Sequence, residues 1–257
     1  MSPYDSARIE NFDVQGTPAL RGYWKCNDGG GLVRDSSQYG NHLTLELSGE
    51  GFTSETIWTN KSGWLSIKNH DRARITLTDS LNTGARFVVL SCNIEHENVL
   101  SDCDLGSAWD SDGILTGTYR GFSVAPLGDI MAMRVTKYTP GVGNWTNADL
   151  TMHQAVATGQ PLLTPLGLAG AFRPSVSVSL SMDGAALITT ATTIDTLTAQ
   201  DGTFALGAAN LNLPVDGYTA IRNYQLWAFD TEPPLLDETL KWMSAHPGLI
   251  PWWWAGR

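Results

Sequence analysis

The sequence predicts an all-β sandwich of two antiparallel sheets with one short C-terminal helix. Short segments alternate between apolar and polar residues along most of the chain, and glycine-, serine- and aspartate-rich turns separate them. A helical pattern occurs once, near the end. With 257 residues, of which 42% are hydrophobic, the chain is long enough to form one large sandwich.

The predicted strands follow one another with short gaps. The segment "ALRGYWKC" alternates, and the turn residues of "NDGGGLVRDSS" separate it from "HLTLEL". "GILTGTYRGFSVAP" and "IMAMRVTKY" are expected to form an antiparallel pair, and "RFVVLSCNIEH" is apolar enough to be central in a sheet. Further strands are predicted at "GWLSI", "ARITLTDS", "GTFALGAAN" and "YTAIRNYQLWAFD". The pattern amounts to about a dozen strands.

A hairpin is predicted around Asp183-Gly184, because this dipeptide favours a tight turn between two strands. Its first arm has alternating apolar residues: Val176, Val178, Leu180 and Met182. Ala186 and Ile188 begin the predicted return strand.

The helix is predicted in "PPLLDETLKWMSAHPG". The two prolines fit its first turn, and Pro247-Gly248 ends it. An apolar stripe is expected on one side: Leu235, Leu236, Leu240 and Met243.

Charge excludes two classes of partner. The net charge is -10 and no cluster of lysine and arginine occurs, so neither nucleic acid nor an anionic membrane surface is an expected partner. No apolar stretch approaches the roughly 18 residues of a membrane span. The N-terminus lacks a basic start followed by an apolar run, so we expect no secretory signal.

The three cysteines, Cys26, Cys92 and Cys103, cannot form a closed disulfide framework, because an odd number leaves one thiol over. We expect reduced thiols, with a Cys92–Cys103 bridge as the alternative. CxxC spacing is absent from the sequence, so a zinc site is not expected.

The opening segment resembles the first-strand signature of laminin-G-like, concanavalin-A-like jelly-roll domains. Four groups carry the resemblance: Gly22-Tyr23-Trp24, Asp28-Gly29-Gly30-Gly31, Asp35-Ser36-Ser37 and Gly40-Asn41-His42. The late hairpin, the strand "GTFALGAAN" and the closing strand plus helix are similar to later parts of the same family. The resemblance implies a jelly-roll domain over residues 18–246, with an N-terminal arm at 1–17 and a Trp-rich tail at 247–257. The opening turn residues are expected to serve the fold.

The last residues, "LKWMSAHPGLIPWWWAGR", are similar to the C-termini of tailed-bacteriophage proteins with this fold. The resemblance implies a virion structural protein, synthesised in the host bacterial cytoplasm, that decorates the capsid or forms part of a fibre or tail. Its expected partners are other virion proteins and further copies of itself, held through the two extensions. The alternative is a carbohydrate-binding module that recognises host cell-surface glycans.

Catalysis is not expected. Retaining glucanases among the relatives of this fold carry alternating acidic residues on one strand, and glycoside hydrolysis needs a pair of carboxylates. Glu95 and Glu97 are the nearest match, but His96 stands where the pattern needs an aspartate. GxSxG, HExxH and P-loop motifs are absent from the sequence. A glycan hydrolase with an unrecognised acid pair remains a third hypothesis.

No cofactor is expected, with Ca²⁺ as an open alternative. Lectin-type relatives bind this ion through loop oxygens, which are the ligands it prefers. Four aspartates of "SDCDLGSAWDSDG" are the candidate ligands: Asp102, Asp104, Asp110 and Asp112. Their spacing matches no EF-hand loop, and Asp112-Gly113 is also an ordinary turn.

Tryptophans in or near loops are candidates for stacking on sugar rings. Trp24 and Trp227 lie in strand patterns and are expected in the core. The glycan-binding candidates are Trp58, Trp64, Trp109 and Trp145, together with Asn144. Packing under a loop is the alternative for each tryptophan.

The run Trp252-Trp253-Trp254 cannot place all three indoles in one core. One alternative is that the tail docks into a neighbouring subunit as an assembly interface, since aromatic residues are favoured anchors there. The other is that the tail folds back over its own sandwich.

Overall fold

The computed structural model describes residues 16–46, 65–68, 72–76, 81, 86–96, 107–109, 119–127, 130–138, 150–159, 164–195, 203–207 and 218–257. Its strands form a seven-stranded and an eight-stranded antiparallel sheet, and one α-helix follows the last strand. The all-β sandwich predicted from the sequence is confirmed.

The first sheet has the order β1-β15-β6-β11-β12-β13, and β4 also pairs with β15. Its strands are β1 (Leu20–Trp24), β4 (Leu65–Lys68), β6 (Phe87–His96), β11 (Leu166–Arg173), β12 (Ser177–Met182), β13 (Ile188–Ala191) and β15 (Tyr218–Phe229). The apolar strand β6 lies between β11 and β15, as its composition predicts.

The second sheet has the order β10-β9-β8-β7-β14-β5-β3-β2. Its strands are β2 (Leu32–Val33), β3 (Leu43–Glu46), β5 (Arg72–Thr76), β7 (Ser107–Trp109), β8 (Tyr119–Leu127), β9 (Ile130–Tyr138), β10 (Leu150–Ala157) and β14 (Thr203–Gly207). The predicted antiparallel pair of β8 and β9 is confirmed, with Tyr119 opposite Tyr138.

An inner core fills the space between the two sheets. Trp24 stacks on Phe204 of the second sheet at 4.7 Å between ring centroids. The Tyr224 ring is tilted against Trp24 at 6.0 Å and meets Phe204 edge-to-face at 5.9 Å. Trp24 and Trp227 are both fully buried, which confirms their predicted core positions.

An outer core covers the opposite face of the first sheet. The helix α1 (Leu236–Ala245) and the C-terminal tail pack there against Val89, Ala171 and Trp227. Leu236, Leu240 and Met243 are buried as predicted. The prediction for Leu235 is wrong: it precedes the helix with a φ of 56°, and its side chain is 62% exposed.

The hairpin of β12 and β13 is confirmed, with Leu180 opposite Ile188, but two details differ from the prediction. Val176 lies in the turn before β12 and is 58% exposed, and Ala186 precedes the return strand. The serines of β12 are buried like its apolar residues, because α1 covers their face and Ser181 hydrogen-bonds Ser244 at 2.9 Å between hydroxyl oxygens. The alternation of serines and apolar residues along β12 therefore occurs in a strand whose two faces are both buried.

Cys26 and Cys92 are buried free thiols, and burial raises the pKa of each. Cys92 therefore forms no bridge to Cys103, which lies outside the described residues. Among the described residues, the helix is too short and too polar to cross a membrane.

Candidate functional site

The opening motif is a hydrogen-bonded hub centred on Asp35. Its carboxylate accepts backbone N–H bonds from Tyr23, Ser37 and Asn41, each at 2.8 Å, and a hydroxyl bond from Ser37 at 2.6 Å. The side chain of Asp35 is 7% exposed, so these bonds offset the cost of burying a carboxylate. They tie β1 to the loop that leads into β3.

Asn41 and His42 extend this hub. The Asn41 carbonyl accepts a bond from the Trp24 indole N–H at 2.8 Å, and the Asn41 amide donates to the Arg21 carbonyl at 2.9 Å. The Asp35 N–H donates to Nδ1 of His42 at 3.0 Å. The polar atoms of the motif are thus engaged within the chain, which gives these residues the structural role that the sequence predicts.

Most residues of the predicted ligand sites lie outside the described residues: Trp58, Trp64, Asp102, Asp104, Asp110, Asp112, Asn144 and Trp145. Trp109 is the last residue of β7, where its backbone stands opposite Thr203. The glycan-binding and Ca²⁺ predictions for these residues stay predictions. Among the described residues, no group of three or more histidine, cysteine, aspartate or glutamate side chains is arranged to hold a metal ion.

The directions of the strands nevertheless show which candidate residues follow strands that finish at the same end of the second sheet. β7 and β9 both run antiparallel to β8, so their last residues, Trp109 and Tyr138, lie at the same edge of the second sheet. Leu150 of β10 and Thr203 of β14 begin at the same end of the sheet, opposite Tyr138 and Trp109. We call this end of the second sheet, where β7 and β9 finish and β10 and β14 begin, the loop edge.

Two candidate segments follow strands that end at the loop edge. Asp110 and Asp112 come directly after β7 in the sequence, and Asn144 with Trp145 come between β9 and β10. Asp102 and Asp104 precede β7, whose first residue, Ser107, stands opposite Ser123 in the middle of β8. The glycan candidates Trp109, Asn144 and Trp145 therefore end or follow strands that finish at the loop edge.

The tail folds back over its own sandwich. Trp252–Trp254 forms one 3₁₀ turn, in which successive side chains point about 120° apart. Trp254 is fully buried against Trp227 and Phe229, with centroid distances of 5.3 and 4.9 Å, and its indole N–H donates to the Pro234 carbonyl at 3.1 Å. Of the two alternatives for the tail, the structure shows this one for Trp254.

The other two indoles are only half-buried. Trp253 donates its N–H to the Thr239 hydroxyl at 2.9 Å and meets Trp242 edge-to-face at 5.1 Å. Trp252 meets Trp253 edge-to-face at 5.7 Å. Both keep part of their surface in solvent, and the predicted assembly role of the three tryptophans stays a prediction.

Contacts between the tail and β1 could not be expected from local sequence patterns. The Tyr23 hydroxyl donates to the Gly248 carbonyl at 2.8 Å, and burial raises the pKa of Tyr23 to about 12. The Ala19 N–H donates to the Arg257 carbonyl at 2.6 Å, so β1 begins beside the C-terminus.

The fold is similar to that of toxin binding domains. The binding domain of Paraclostridial Mosquitocidal Protein 1 has a TM-score of 0.58 at 10% identity, with 88% of this chain and 52% of that chain covered. The binding domain of Botulinum Neurotoxin serotype G has a TM-score of 0.56 at 11% identity, with coverage of 87% and 51%. That of Botulinum Neurotoxin DC, in complex with SialylT, has a TM-score of 0.53 at 10% identity, with coverage of 83% and 49%.

This chain spans about half the length of the solved structures that it resembles. At such low identity the similarity concerns the fold. No protein-family model matches the chain, and no curated protein sequence matches it.

Proposed function

We propose that this chain is a non-enzymatic glycan-recognition domain of a bacteriophage virion. The observation that carries the proposal is the fold, because 88% of the chain is covered by the structural match to a toxin binding domain. A related binding domain was solved in complex with SialylT. Such sandwiches present loops from a rigid scaffold, which is a common arrangement for binding residues.

The loop edge is the proposed contact surface. The first sheet is packed on both faces, by the second sheet inside and by α1 and the tail outside. Recognition is therefore assigned to the second sheet, where Trp109 ends β7 and the segment with Asn144 and Trp145 leaves β9. An indole stacks on the C–H face of a sugar, and an amide side chain bonds its hydroxyls.

The position of Glu95 supports a non-enzymatic role. Glu95 lies in the central strand β6, opposite Ala220 of β15, and is 8% exposed. Its neighbour across the ladder, Ala220, supplies no second carboxylate, and glycoside hydrolysis requires a pair. Glu97, its predicted neighbour in the acid pair, lies outside the described residues.

Glycan binding is tested with purified chain and polysaccharide from the surface of the host cell. Trp109→Ala and Trp145→Ala should each weaken binding about tenfold, because each removes a stacking face. Trp252→Ala is the matched control, since it removes a half-exposed indole from the other side of the molecule. The proposal fails if the wild-type chain binds no surface glycan, or if the control weakens binding as much as the two loop variants do.

The virion part of the proposal has a separate basis, the resemblance of residues 240–257 to the C-termini of tailed-bacteriophage proteins that the sequence suggests. Gold-antibody labelling of intact particles tests it by electron microscopy. Label at the tail tip or fibres would support recognition of the host, and label over the head would support a decoration protein. Particles without label would refute the virion assignment and leave a free glycan-binding module.

A further inference from the structure

The outer edge of β13 is an unpaired strand edge in the described part of the chain. β13 is the last strand of the first sheet and pairs with β12 on one side only. We propose that this edge pairs with β13 of a second copy of the chain, in an antiparallel arrangement around a two-fold axis. The inference concerns assembly and does not depend on glycan binding.

Hydrogen-bond alternation shows which backbone groups face outward. The Thr192 N–H donates to the Val176 carbonyl at 3.1 Å, so the bonded pairs along the same ladder are Thr190 with Val178 and Ile188 with Leu180. The N–H and C=O groups of Thr189 and Ala191 therefore point away from β12. A second strand can accept and donate bonds at these two residues while β13 keeps its ladder with β12. β10 of the second sheet also lies close to β13, and Nδ1 of His153 is 2.7 Å from the Thr192 hydroxyl oxygen.

The edge lacks the features that normally block strand pairing. Residues 187–194, "LITTATTI", include no charge and no proline, although the chain carries a net charge of -10. Charged side chains and prolines are the usual protection of an edge strand. All four residues of β13 are exposed. This neutral stripe lets a second acidic copy approach without placing like charges across the contact.

The strand is also self-complementary. With a two-fold axis at Thr190, the Thr190 residues of the two copies stand opposite each other, and Thr189 stands opposite Ala191 of the second copy. The outward backbone groups then bond in both directions, as an isologous contact requires. Ile188, at 38% exposure, lies at the end of the paired segment and adds apolar surface.

The choice of a second copy over another partner follows from this symmetry and from the tail. The sequence predicts self-association through the extensions, but Trp254 is buried in its own domain and leaves only two half-buried indoles there. β13 offers a row of outward backbone donors and acceptors with which the same strand of a second copy can pair along its length.

Sedimentation equilibrium of the full chain tests the proposal. The wild type should form a dimer, and Thr190→Lys or Thr190→Glu should each weaken it at least about tenfold, since each places two like charges directly opposite. An equal mixture of the two variants should restore the dimer, because the charges are then opposite in sign. Gln38→Lys is the control, since Gln38 is exposed in a turn away from β13.

Thermal unfolding of each variant, measured at a concentration low enough for every protein to be monomeric, should match that of the wild type, because the Thr190 side chain is exposed. A wild-type chain that stays monomeric at high micromolar concentration would overturn the proposal. A dimer that both Thr190 variants retain would also overturn it, and its loss in Trp252→Ala would then assign the contact to the tail.

Discussion

The two faces of the first sheet are covered by different kinds of neighbour. The inner face meets the second sheet, so its core combines residues from almost the whole described chain, such as Trp24, Leu90 and Phe204. The outer face meets one continuous stretch, the helix α1 and the tail that follows it. One core is thus assembled from distant strands, and the other is closed by a single local segment.

This difference indicates where the molecule can interact. The C-terminal segment uses its apolar residues to cover the first sheet of its own chain, with Trp254 as the most deeply buried of the three tail indoles. The two proposed binding surfaces are elsewhere: the loop edge of the second sheet, and the edge of β13 that has no partner strand among the described residues.

The largest effect is expected for Trp254→Ala. Removing a fully buried indole that packs on Trp227 and Phe229 should lower the free energy of unfolding by about 3–5 kcal/mol. Urea denaturation measures it. Trp252→Ala, which removes a half-buried indole of the same turn, should cost less than about 1 kcal/mol. Equal effects of the two variants would show that the tail is not packed as described.

Gly167→Ala should have an intermediate effect. A methyl group at Gly167 in β11 would overlap the Ser244 carbonyl of α1, so the helix must move away from the sheet. Such overpacking costs about 1–3 kcal/mol, measurable by thermal unfolding. Gly31→Ala is the matched control, because its added methyl group meets no atom within 4 Å. An unchanged unfolding temperature for Gly167→Ala would mean that α1 does not lie against β11.

Tyr23→Phe tests the hydrogen bond between β1 and the tail through pH. Burial raises the pKa of Tyr23 to about 12, so above pH 10 the phenol ionises in the unfolded chain while it stays neutral in the folded one. The stability that Tyr23 contributes is present below pH 10 and is lost as the pH rises from 10 to about 12.

The free energy of unfolding of the wild type, relative to that of Tyr23→Phe, should therefore fall by about 1 kcal/mol between pH 8 and pH 11. Urea titrations of both proteins at pH 8 and pH 11 measure this difference. The thiols of Cys26 and Cys92 are common to both proteins and cancel in the comparison. A gap that stays constant with pH would show that the Tyr23 phenol is not buried in the folded state.

The inner core could be predicted from sequence because strand alternation is a local property. Trp24 stands at a position where period-two alternation places it between the two sheets, and it is buried there. Trp227, also predicted to be buried, is buried on the outer face instead. The opening turn was predictable for a similar reason, since Asp35 bonds residues close to it in the chain.

The outer core could be predicted only in part. The stripe of Leu236, Leu240 and Met243 marks a buried helix face, but no local pattern identifies the sheet face that receives it. Trp254 packs on Trp227 and Phe229, which are 27 and 25 positions earlier in the numbering, so its burial depends on the tertiary fold. Val176 and Leu235 were mispredicted because turns at both sites interrupt the alternation and the helical period.

Hydrogen exchange followed by mass spectrometry, with the chain alone and with host surface polysaccharide, tests the central claim most directly. The claim is that the tail closes the first sheet of its own chain and that the loop edge binds glycan. Amides of residues 249–257, such as the Trp254 N–H bonded to the Pro251 carbonyl, should be protected in both samples. Peptides that adjoin β7 and β9 should gain protection only with glycan. An unprotected tail in the free chain, or added protection on the tail with none at the loop edge, would contradict the account.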